Sequence, residues 1–594
     1  MKKLIPQMCF TLFIGVCIGF APEPKAEKRK TDILNVNDII KTENNTYLIT
    51  EKNTKRLTQY NSDFSKIINE KNFTQAPTGI TSDNKNIYVT LFNSQGQVCI
   101  IDPSTLEIKS TINTQSGTTY PVLSKRQNRL YVLNQFANTV QEIDLGKENI
   151  SRTCSVLREP KAAAFDKDEK YLYVANFLPA QRADVDTVAA CVSIIDMNNF
   201  ERTKDIQLYN GSNALRGMCS SDDGHYIFVT HNLGRFQVPT NQLQQGWMNT
   251  NALSVIDTRK QELVGTVLLD DPERGAAGVW DVKATPEHIV VSHSGTHEIS
   301  LIDYPSFIKK FEQSRDKDKL AYDLRFMYQI RQRIPVIGNG PRKIILDKDQ
   351  IIIPTYFSDH INLYDIKSKN LQTIALVEGR TESPAQAGEK YFNDATHCFQ
   401  NWQSCNGCHP GDARTDAMNW DLLNDGLGNA KNCKSMLYSH VTPPSMISGI
   451  RKNAEIAVRK GFTHIQFSEC PEEVYECVDE YLKQLRPVPS PYLIEGKLSN
   501  KAERGRKVFD KHNCAECHSG PYFTNGKMYK IGEDVEFENG WDTPTLIEVW
   551  RTAPYLFDGR AADLKDVFKI HKHGIRSKIT DKEIDELTEY VNSL

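Results

Sequence analysis

A strand-like pattern recurs through the first two thirds of the chain. Each copy has a β-branched and aromatic run, a polar turn, an alternating strand ending near Asp, and a turn containing Lys or Glu. No 3.6-residue periodicity competes over these stretches. The pattern therefore predicts β-structure built from one repeated unit. Its seven copies occupy residues 46–61, 86–102, 129–144, 171–196, 226–257, 288–303 and 351–366, the first being the weakest.

The spacing of these copies predicts how they assemble. The shortest spacings are about 42 residues, enough for four short antiparallel strands, and match the period of a propeller blade. Closing the blades into a ring removes the exposed edges of an open array. We predict a seven-bladed β-propeller over residues 30–378, with six or eight blades as the alternatives.

Three insertions break the period of the repeat. They span residues 178–190, 233–249 and a charged stretch, predicted to be helical, at 307–333. Long loops on a rigid ring serve either in recognition or in packing against a neighbouring domain. The sequence leaves both roles open.

After Gly379 the pattern changes from strand alternation to helical spacing. Apolar residues at three- and four-residue intervals predict helices at 472–485 and 581–594. A proline-rich link at 487–499 divides this region. We predict an all-α region of two small domains, 383–490 and 498–594.

The amino terminus is typical of an export signal. Two lysines precede the apolar run Cys9–Phe20, which is too short for the roughly 20 residues that span a bilayer. Residues 1–26 are therefore predicted to be a cleaved signal peptide, with an uncleaved anchor or a lipoprotein acylated on Cys17 as alternatives. We therefore predict a periplasmic or cell-surface protein whose mature chain has no transmembrane helix. The 72 basic and 75 acidic residues give a net charge of −3, which does not favour a nucleic-acid partner.

Each predicted C-terminal domain contains one Cys-x-x-Cys-His pentad, 405–409 in the first and 514–518 in the second. This spacing is the attachment signature of c-type haem. We predict two covalent haems, held by Cys405 and Cys408 and by Cys514 and Cys517. His409 and His518 are then the proximal iron ligands. A redox dithiol or a zinc half-site explains neither the adjacent histidine nor the duplication.

The sixth iron position separates electron transfer from catalysis. For the second haem, Met528 lies close to the motif, whereas His571 and His573 follow a helical segment; we predict a ligand among the two histidines, His571 first. The first haem has several candidates, none distinguished by the sequence: Met418, Met436, His440, Met446 and His464.

Acid–base and charged groups for an open first haem are predicted within residues 451–459. Glu455 supplies a carboxylate, and Arg451 and Arg459 supply positive charge, functions that peroxide cleavage requires. A solvated helix face explains the same residues equally well.

The propeller repeats resemble the YVTN-type propellers of bacterial surface and periplasmic proteins. Residues 503–532 and 542–568 resemble the C-terminal haem domain of bacterial dihaem cytochrome c peroxidases, a family that includes the methylamine dehydrogenase maturation enzyme. The resemblance implies two cytochrome c folds with Ca²⁺ between them. It also implies electron entry at the C-terminal haem from a small donor protein or other periplasmic redox partner, and hydrogen peroxide reduction at the N-terminal haem.

This chain departs from that family at three points. His571 stands where the peroxidases have methionine and the maturation enzyme has tyrosine. The family's Trp-Asp-Gly-Arg stretch is replaced by 445–451, and the catalytic glutamate has no clean counterpart near 464–467. A group of bacterial propeller-plus-dihaem proteins has a similar arrangement.

Three functions remain open from the sequence: a peroxidase-type oxidoreductase, a non-catalytic electron carrier whose propeller binds a partner or the cell surface, and a propeller that is itself the active module. The third depends on blade histidines reaching a central channel: His225, His231, His293, His297 and His360. Two disulfides, Cys398–Cys433 and Cys470–Cys477, are further predictions, with free thiols as the alternative.

Overall fold

The structure is a computed structural model that describes residues 33–83, 85–92, 95–238, 248–422, 430–531 and 538–594. The predicted signal peptide, residues 1–26, lies outside these residues, as does part of the insertion at 233–249. Among the helices of the described residues, none is long and apolar enough to cross a membrane.

Seven antiparallel sheets, each of four consecutive strands, form the first part of the chain. The strands of blades one to four are β1 Val36–Lys41, β2 Tyr47–Glu51, β3 Arg56–Tyr60, β4 Ile67–Asn72, β5 Pro77–Ser82, β6 Ile87–Leu91, β7 Gln97–Ile101, β8 Ile108–Asn113, β9 Thr118–Leu123, β10 Arg129–Asn134, β11 Thr139–Asp144, β12 Asn149–Ser155, β13 Pro160–Phe165, β14 Tyr171–Asn176, β15 Cys191–Asp196 and β16 Glu201–Gln207. Those of blades five to seven are β17 Ser212–Ser220, β18 Tyr226–Gly234, β19 Asn249–Asp257, β20 Glu262–Leu268, β21 Val279–Ala284, β22 His288–His293, β23 Glu298–Asp303, β24 Arg331–Pro335, β25 Ile345–Asp347, β26 Gln350–Pro354, β27 His360–Asp365 and β28 Leu371–Ala375.

These sheets confirm the seven-bladed propeller. The second strands are buried along nearly their whole length, as in β6, because sheets cover both of their faces. The fourth strands alternate between exposed and partly buried positions, as in β4. The first strands are neighbours from blade to blade and surround the axis. The hydrophobic run and the alternating run of each sequence copy therefore correspond to the middle of one blade.

The ring closes between blades one and seven without exchanging a strand. The backbone N–H groups of Leu34 and Asn35 donate to the carboxylate of Asp359, at 3.0 and 2.9 Å. Leu34 also packs in one apolar cluster with Ile352 and Leu376 of blade seven. A buried carboxylate and shared core thus join the two ends of the propeller.

The C-terminal region contains helices and two short ladders. A helix inserted in blade six is α1 Tyr304–Gln313; the later helices are α2 Pro384–Asn393, α3 Cys405–Cys408, α4 Pro410–Ala413, α5 Ala454–Gly461, α6 Glu472–Lys483, α7 Asn500–Lys511, α8 Leu564–Lys569 and α9 Asp581–Asn592. The ladders pair β29 Asn419–Trp420 with β30 Lys431–Asn432, and β31 Met528–Tyr529 with β32 Trp541–Asp542. The region predicted to be all-α is therefore helical with two small β-ladders.

The two halves of this region repeat one arrangement. In each half the first long helix crosses the last, α2 on α6 and α7 on α9, and a glycine stands at the crossing. A Cβ on Gly388 would lie 1.8 Å from the carbonyl oxygen of Cys477, and one on Gly505 would lie 1.9 Å from that of Glu586. Only glycine allows these backbones to approach so closely.

We expect Gly388→Ala to lower the free energy of unfolding of this region by about 1–3 kcal/mol, because the added methyl overlaps backbone that cannot move aside. Gly461→Ala is the matched control: Gly461 is helical and a Cβ there meets nothing within 4 Å. That change should be neutral or stabilising by up to about 1 kcal/mol. Thermal unfolding of the two variants checks the difference, and equal midpoints would contradict the packing described.

Two insertions in the propeller pack against the first haem-motif domain. Val188 and Phe236 share an apolar cluster with Trp402 and Trp420. The third insertion contains α1 and packs on the propeller, where Phe307 and other residues join a blade core. The described parts of the first two insertions therefore pack against the neighbouring domain, and the third packs on its own propeller.

Candidate haem sites

The two Cys-x-x-Cys-His pentads have the same local geometry. His409 Nδ1 is 3.0 Å from the carbonyl oxygen of Arg414, and His518 Nδ1 is 3.1 Å from that of Phe523, in both cases five residues further on. A ring whose Nδ1–H donates to a carbonyl is held in the tautomer that leaves Nε2 available to a metal. Burial lowers the pKa of both histidines, which favours the neutral ligand form. The residues present therefore fit two c-type haems.

A second imidazole faces the second motif. The ring centroids of His518 and His573 are 6.4 Å apart, at an interplanar angle of 52°. With metal–nitrogen bonds of about 2 Å and a ring centre about 1 Å beyond each nitrogen, two imidazoles that share one metal have centroids about 6 Å apart. Burial, reinforced by the adjacent His518, lowers the pKa of His573 to about 4. The two rings are thus spaced as imidazoles that would share one metal, and the lowered pKa favours the neutral form of His573.

Of the three residues predicted as candidates for this position, the structure thus brings His573 to the motif. His571 lies two residues earlier, and its backbone N–H continues the end of α8 by bonding to Asp566. Met528 lies in β31, and its sulfur packs against Gly449 of the first domain. The direction that the chain takes after α8 determines which of the two histidines lies near His518. The spacing of residues in the sequence does not predict this direction.

No comparable partner faces His409 among the described residues. Asn453 and Asp563 cap the equivalent helices α5 and α8. These two N-cap residues are 110 positions apart in the sequence. The residue of the first half that corresponds to His573 is therefore Thr463, whose hydroxyl group hydrogen-bonds to the exposed His464. The Sγ of Cys433 lies 3.5 Å from Nδ1 of His409. In the part of the chain that the structure describes, His409 therefore has no neighbouring imidazole comparable to His573.

The other predicted ligands of the first haem are engaged elsewhere. His440 Nε2 bonds to Asp479 in α6, at 2.9 Å. Met418 is buried, with its sulfur 3.6 Å from Asn213 Nδ2 of blade five. Met436 is partly buried in the core of the first domain, and Met446 is half-buried in the 445–451 loop.

The predicted acid–base residues lie on and before α5. Glu455 is half-buried in the first turn of the helix, and the backbone of Arg451 forms an isolated antiparallel β-bridge with that of Ser445. Arg459 binds Asp479 at 2.9 Å, so it belongs with His440 to one buried network. Burial raises the pKa of Asp479, but bonds from His440 and Arg459 outweigh it and hold the pKa below the usual value.

A carboxyl group beside the first motif was not predicted from the sequence. Burial raises the pKa of Asp416 to about 7, although Trp420 Nε1 donates to it at 2.8 Å. Asp416 also bonds to Cys433, the thiol that lies against His409. No periodicity or motif marks this residue, because its burial depends on the packed propeller.

The propeller contacts the first motif directly. Asn249 Nδ2 of blade five lies 3.2 Å from Cys408 Sγ, and Asn232 Nδ2 lies 3.4 Å from the carbonyl oxygen of Gly407. On the other side, Gln466 Nε2 lies 3.3 Å from Cys405 Sγ. Both cysteine sulfurs of the first motif thus accept from side-chain amides, one of them supplied by the propeller.

A buried ionic network joins the propeller to both halves of the C-terminal region. Glu548 accepts two bonds from Arg414, each of 2.9 Å, and one from Arg551 at 3.3 Å. Arg551 also binds Glu159 of blade four. Because the carbonyl of Arg414 holds His409, this network ends at the first proximal histidine.

An aromatic pair lies between the two halves. The rings of Trp541 and Phe557 stack at 4.3 Å and pack on Ile447 of the 445–451 loop. Asp542 binds Lys434, the residue after Cys433, at 2.8 Å. The loop that lacks the tryptophan of the peroxidases is thus covered by aromatic side chains of the other half.

The two predicted disulfides are wrong. None of the twelve cysteines of the described residues is in a disulfide. Cys433 lies at His409, Cys470 Sγ is 3.6 Å from His397 Nδ1, and Cys477 is in α6 at the crossing with α2.

The blade histidines have structural roles. His231 bonds to a carbonyl and to Ser254, and His293 bonds to a carbonyl and to Ser300, each at 2.8–2.9 Å. Both are fully buried, which lowers their pKa to about 4. His297 binds Asp394 at 3.1 Å, so it joins the propeller to the first half. His225 is exposed beside an aspartate, and His360 is partly buried.

Among the described residues, no three His, Cys, Asp or Glu side chains are grouped so that they could hold a metal ion such as calcium.

No protein-family model matches the chain. Over 272 residues it is 26% identical to hydrazine synthase subunit gamma of Kuenenia stuttgartiensis, covering 35% of this chain and 76% of that protein. Subunit beta of the same enzyme is 24% identical over 237 residues, covering 38% and 58%. The methylamine utilization protein MauG of Methylophilus methylotrophus is 30% identical over 95 residues, covering 13% and 28%.

Among solved structures, a chain of Kuenenia stuttgartiensis hydrazine synthase superposes with a TM-score of 0.51 at 20% identity, over 59% of this chain and 98% of that chain. At this identity the match shows the propeller fold alone. Its extent is close to the propeller's share of the chain. Two relatives of this protein are thus subunits of an enzyme.

Proposed function

We propose that the protein is an exported c-type cytochrome and oxidoreductase with two haems, one closed by two histidines and one open to a small substrate. The observation that carries the proposal is the contrast between the two pentads: His573 faces His518, whereas no second imidazole of the described residues faces His409. When bound, haem supplies one-electron chemistry and, where an axial position is free, a site for a small molecule. Cys405, Cys408 and His409 would hold the open haem, and Cys514, Cys517, His518 and His573 the closed one.

The residues of the chain around the first motif have three functions in this proposal. The propeller amides Asn232 and Asn249 fix the attachment turn and exclude water from its outer side. The carbonyl of Arg414, itself held by the buried ionic network, orients His409. Asp416, with its pKa near 7, holds or releases a proton at its carboxyl oxygens at neutral pH.

Two substrate classes fit an open site of this kind. The resemblance to the dihaem peroxidases, which the similarity to MauG supports, favours hydrogen peroxide. The similarity to two hydrazine synthase subunits favours small nitrogen compounds. Electrons would be exchanged with a small periplasmic donor protein at the second half, and Ca²⁺ between the halves remains part of the family-based proposal.

The oxidised protein is expected to give one high-spin and one low-spin electron paramagnetic resonance signal, and cyanide should convert only the high-spin signal. The reason is that His573 closes one site and nothing equivalent closes the other. Turnover with hydrogen peroxide and with hydroxylamine, each with a reduced small cytochrome as donor, then distinguishes the substrate classes. Two low-spin signals unchanged by cyanide would instead identify a non-catalytic electron carrier.

A further inference from the structure

A small polar cavity lies where the propeller axis meets the first pentad. Its walls come from blades five and six and from residues 402–407 of the attachment segment. Five carboxamide residues line it together with Arg216: Asn232, Asn249, Asn251, Gln403 and Asn406. Its free space is close to that of one water molecule.

Arg216 is a buried cation without a carboxylate partner among the described residues. It stands on β17, the inner strand of blade five, and its residue surface is 6% exposed. Its one hydrogen bond to the protein is a long one, 3.4 Å from Nη1 to the carbonyl oxygen of Ala214. Its guanidinium carbon lies 4.8 Å from the ring centre of Trp280 and 5.6 Å from that of Phe177.

The charges around Arg216 are of the same sign. Arg342 lies on Trp280 as well, 4.1 Å from its ring centre, and its Nε is buried without a hydrogen-bond partner. Burial and the neighbouring Arg342 lower the pKa of Arg216 to about 9. Lys161 stands on the inner strand of blade four. Burial is the main cause that lowers the pKa of Lys161, and the charge of Arg216 lowers it further.

Two carboxylates at this end of the axis, Asp412 and Glu159, lie beside other cations. Asp412, four residues after Cys408, lies among Lys52, Arg551 and Lys161, and these cations hold its pKa well below its usual value. Glu159 binds Arg551. An isolated charge in the interior is costly, and stacking on an aromatic ring offsets only part of that cost.

We infer that this cavity binds one small monovalent inorganic anion, of the size of a halide or nitrite, between Arg216 and the attachment turn of the first haem. The Arg216 N–H groups that remain would donate to the anion. The amide N–H groups of Asn232, Asn249 and Asn251 already donate to Gly407, Cys408 and Trp402. These side chains therefore form the polar walls of the cavity, and Arg216 is the donor to the anion. The anion then joins the propeller to the attachment turn and neutralises the buried excess of positive charge.

The test uses the full-length haem-loaded protein and measures thermal unfolding with sodium bromide against sodium gluconate at constant ionic strength. Gluconate is too large for a water-sized cavity. Saturable binding to the folded state should raise the unfolding midpoint by about 2 °C or more at saturating bromide. Nitrite should act in the same way.

Arg216→Met should abolish this bromide dependence, because methionine fills similar volume without the charge. Arg126→Met is the matched control, since Arg126 is exposed and paired with Asp168; it should keep the full response. A crystal grown in bromide should show an anomalous peak within hydrogen-bond distance of Arg216. Equal bromide responses in the wild type and Arg216→Met, or a water alone at that place in the crystal, would overturn the inference. These readouts are independent of turnover, so a failed assignment of the substrate leaves them intact.

Discussion

Replacing His573 with methionine should raise the midpoint potential of one of the two haems by on the order of 0.1 V and leave the other unchanged, because a thioether favours ferrous iron more than an imidazole does. His573→Ala should go further and convert the low-spin ferric signal of that haem to a high-spin signal that binds cyanide. A reduced-minus-oxidised titration together with electron paramagnetic resonance checks both results.

His571→Ala is the matched control for this pair of variants. His571 is a histidine of the same segment, two positions away, and its ring is not the one that faces His518. Its removal should leave the potentials and the low-spin signal as in the wild type. If His571→Ala loses the low-spin signal and His573→Ala keeps it, the ligand is His571, and the geometry of the segment after α8 does not persist when haem is attached.

Glu548→Gln is expected to destabilise the C-terminal region by about 3–5 kcal/mol, the usual cost of removing one partner from a buried ionic network. Glu548 is 1% exposed and accepts from Arg414, Arg551 and the backbone N–H of Val488. A glutamine there would place an NH₂ group against these donors and remove the one carboxylate that both arginines share. Denaturant unfolding of the haem-loaded protein, followed at the haem absorption band, gives the difference.

Glu503→Gln is the control for charge removal as such. Glu503 is exposed on α7 and pairs with Arg506 at 2.8 Å, a contact that solvent screens. Its loss should cost less than about 1 kcal/mol. Similar small effects in both variants would mean that water reaches Glu548 and that the network contributes little to holding Arg414 and, through its carbonyl, His409.

The sequence by itself determined the features that depend on neighbours along the chain. The seven copies give seven blades, since each copy encodes strands that pair with the next strand in sequence. Both pentads, and the local bond from each proximal histidine to a carbonyl five residues on, are likewise set within short segments. Whether haem is attached there is still a prediction from the motif and the family resemblance.

The tertiary structure alone decided the features that depend on long-range packing. His573 rather than His571 reaches His518, because the direction of the chain after α8 is set by the core of the second half. The pKa of Asp416 rises because the packed domains bury it, and Arg216 loses water because the attachment turn covers it. Desolvation of a side chain by residues hundreds of positions away leaves no local pattern, so no reading of spacing could have found these groups.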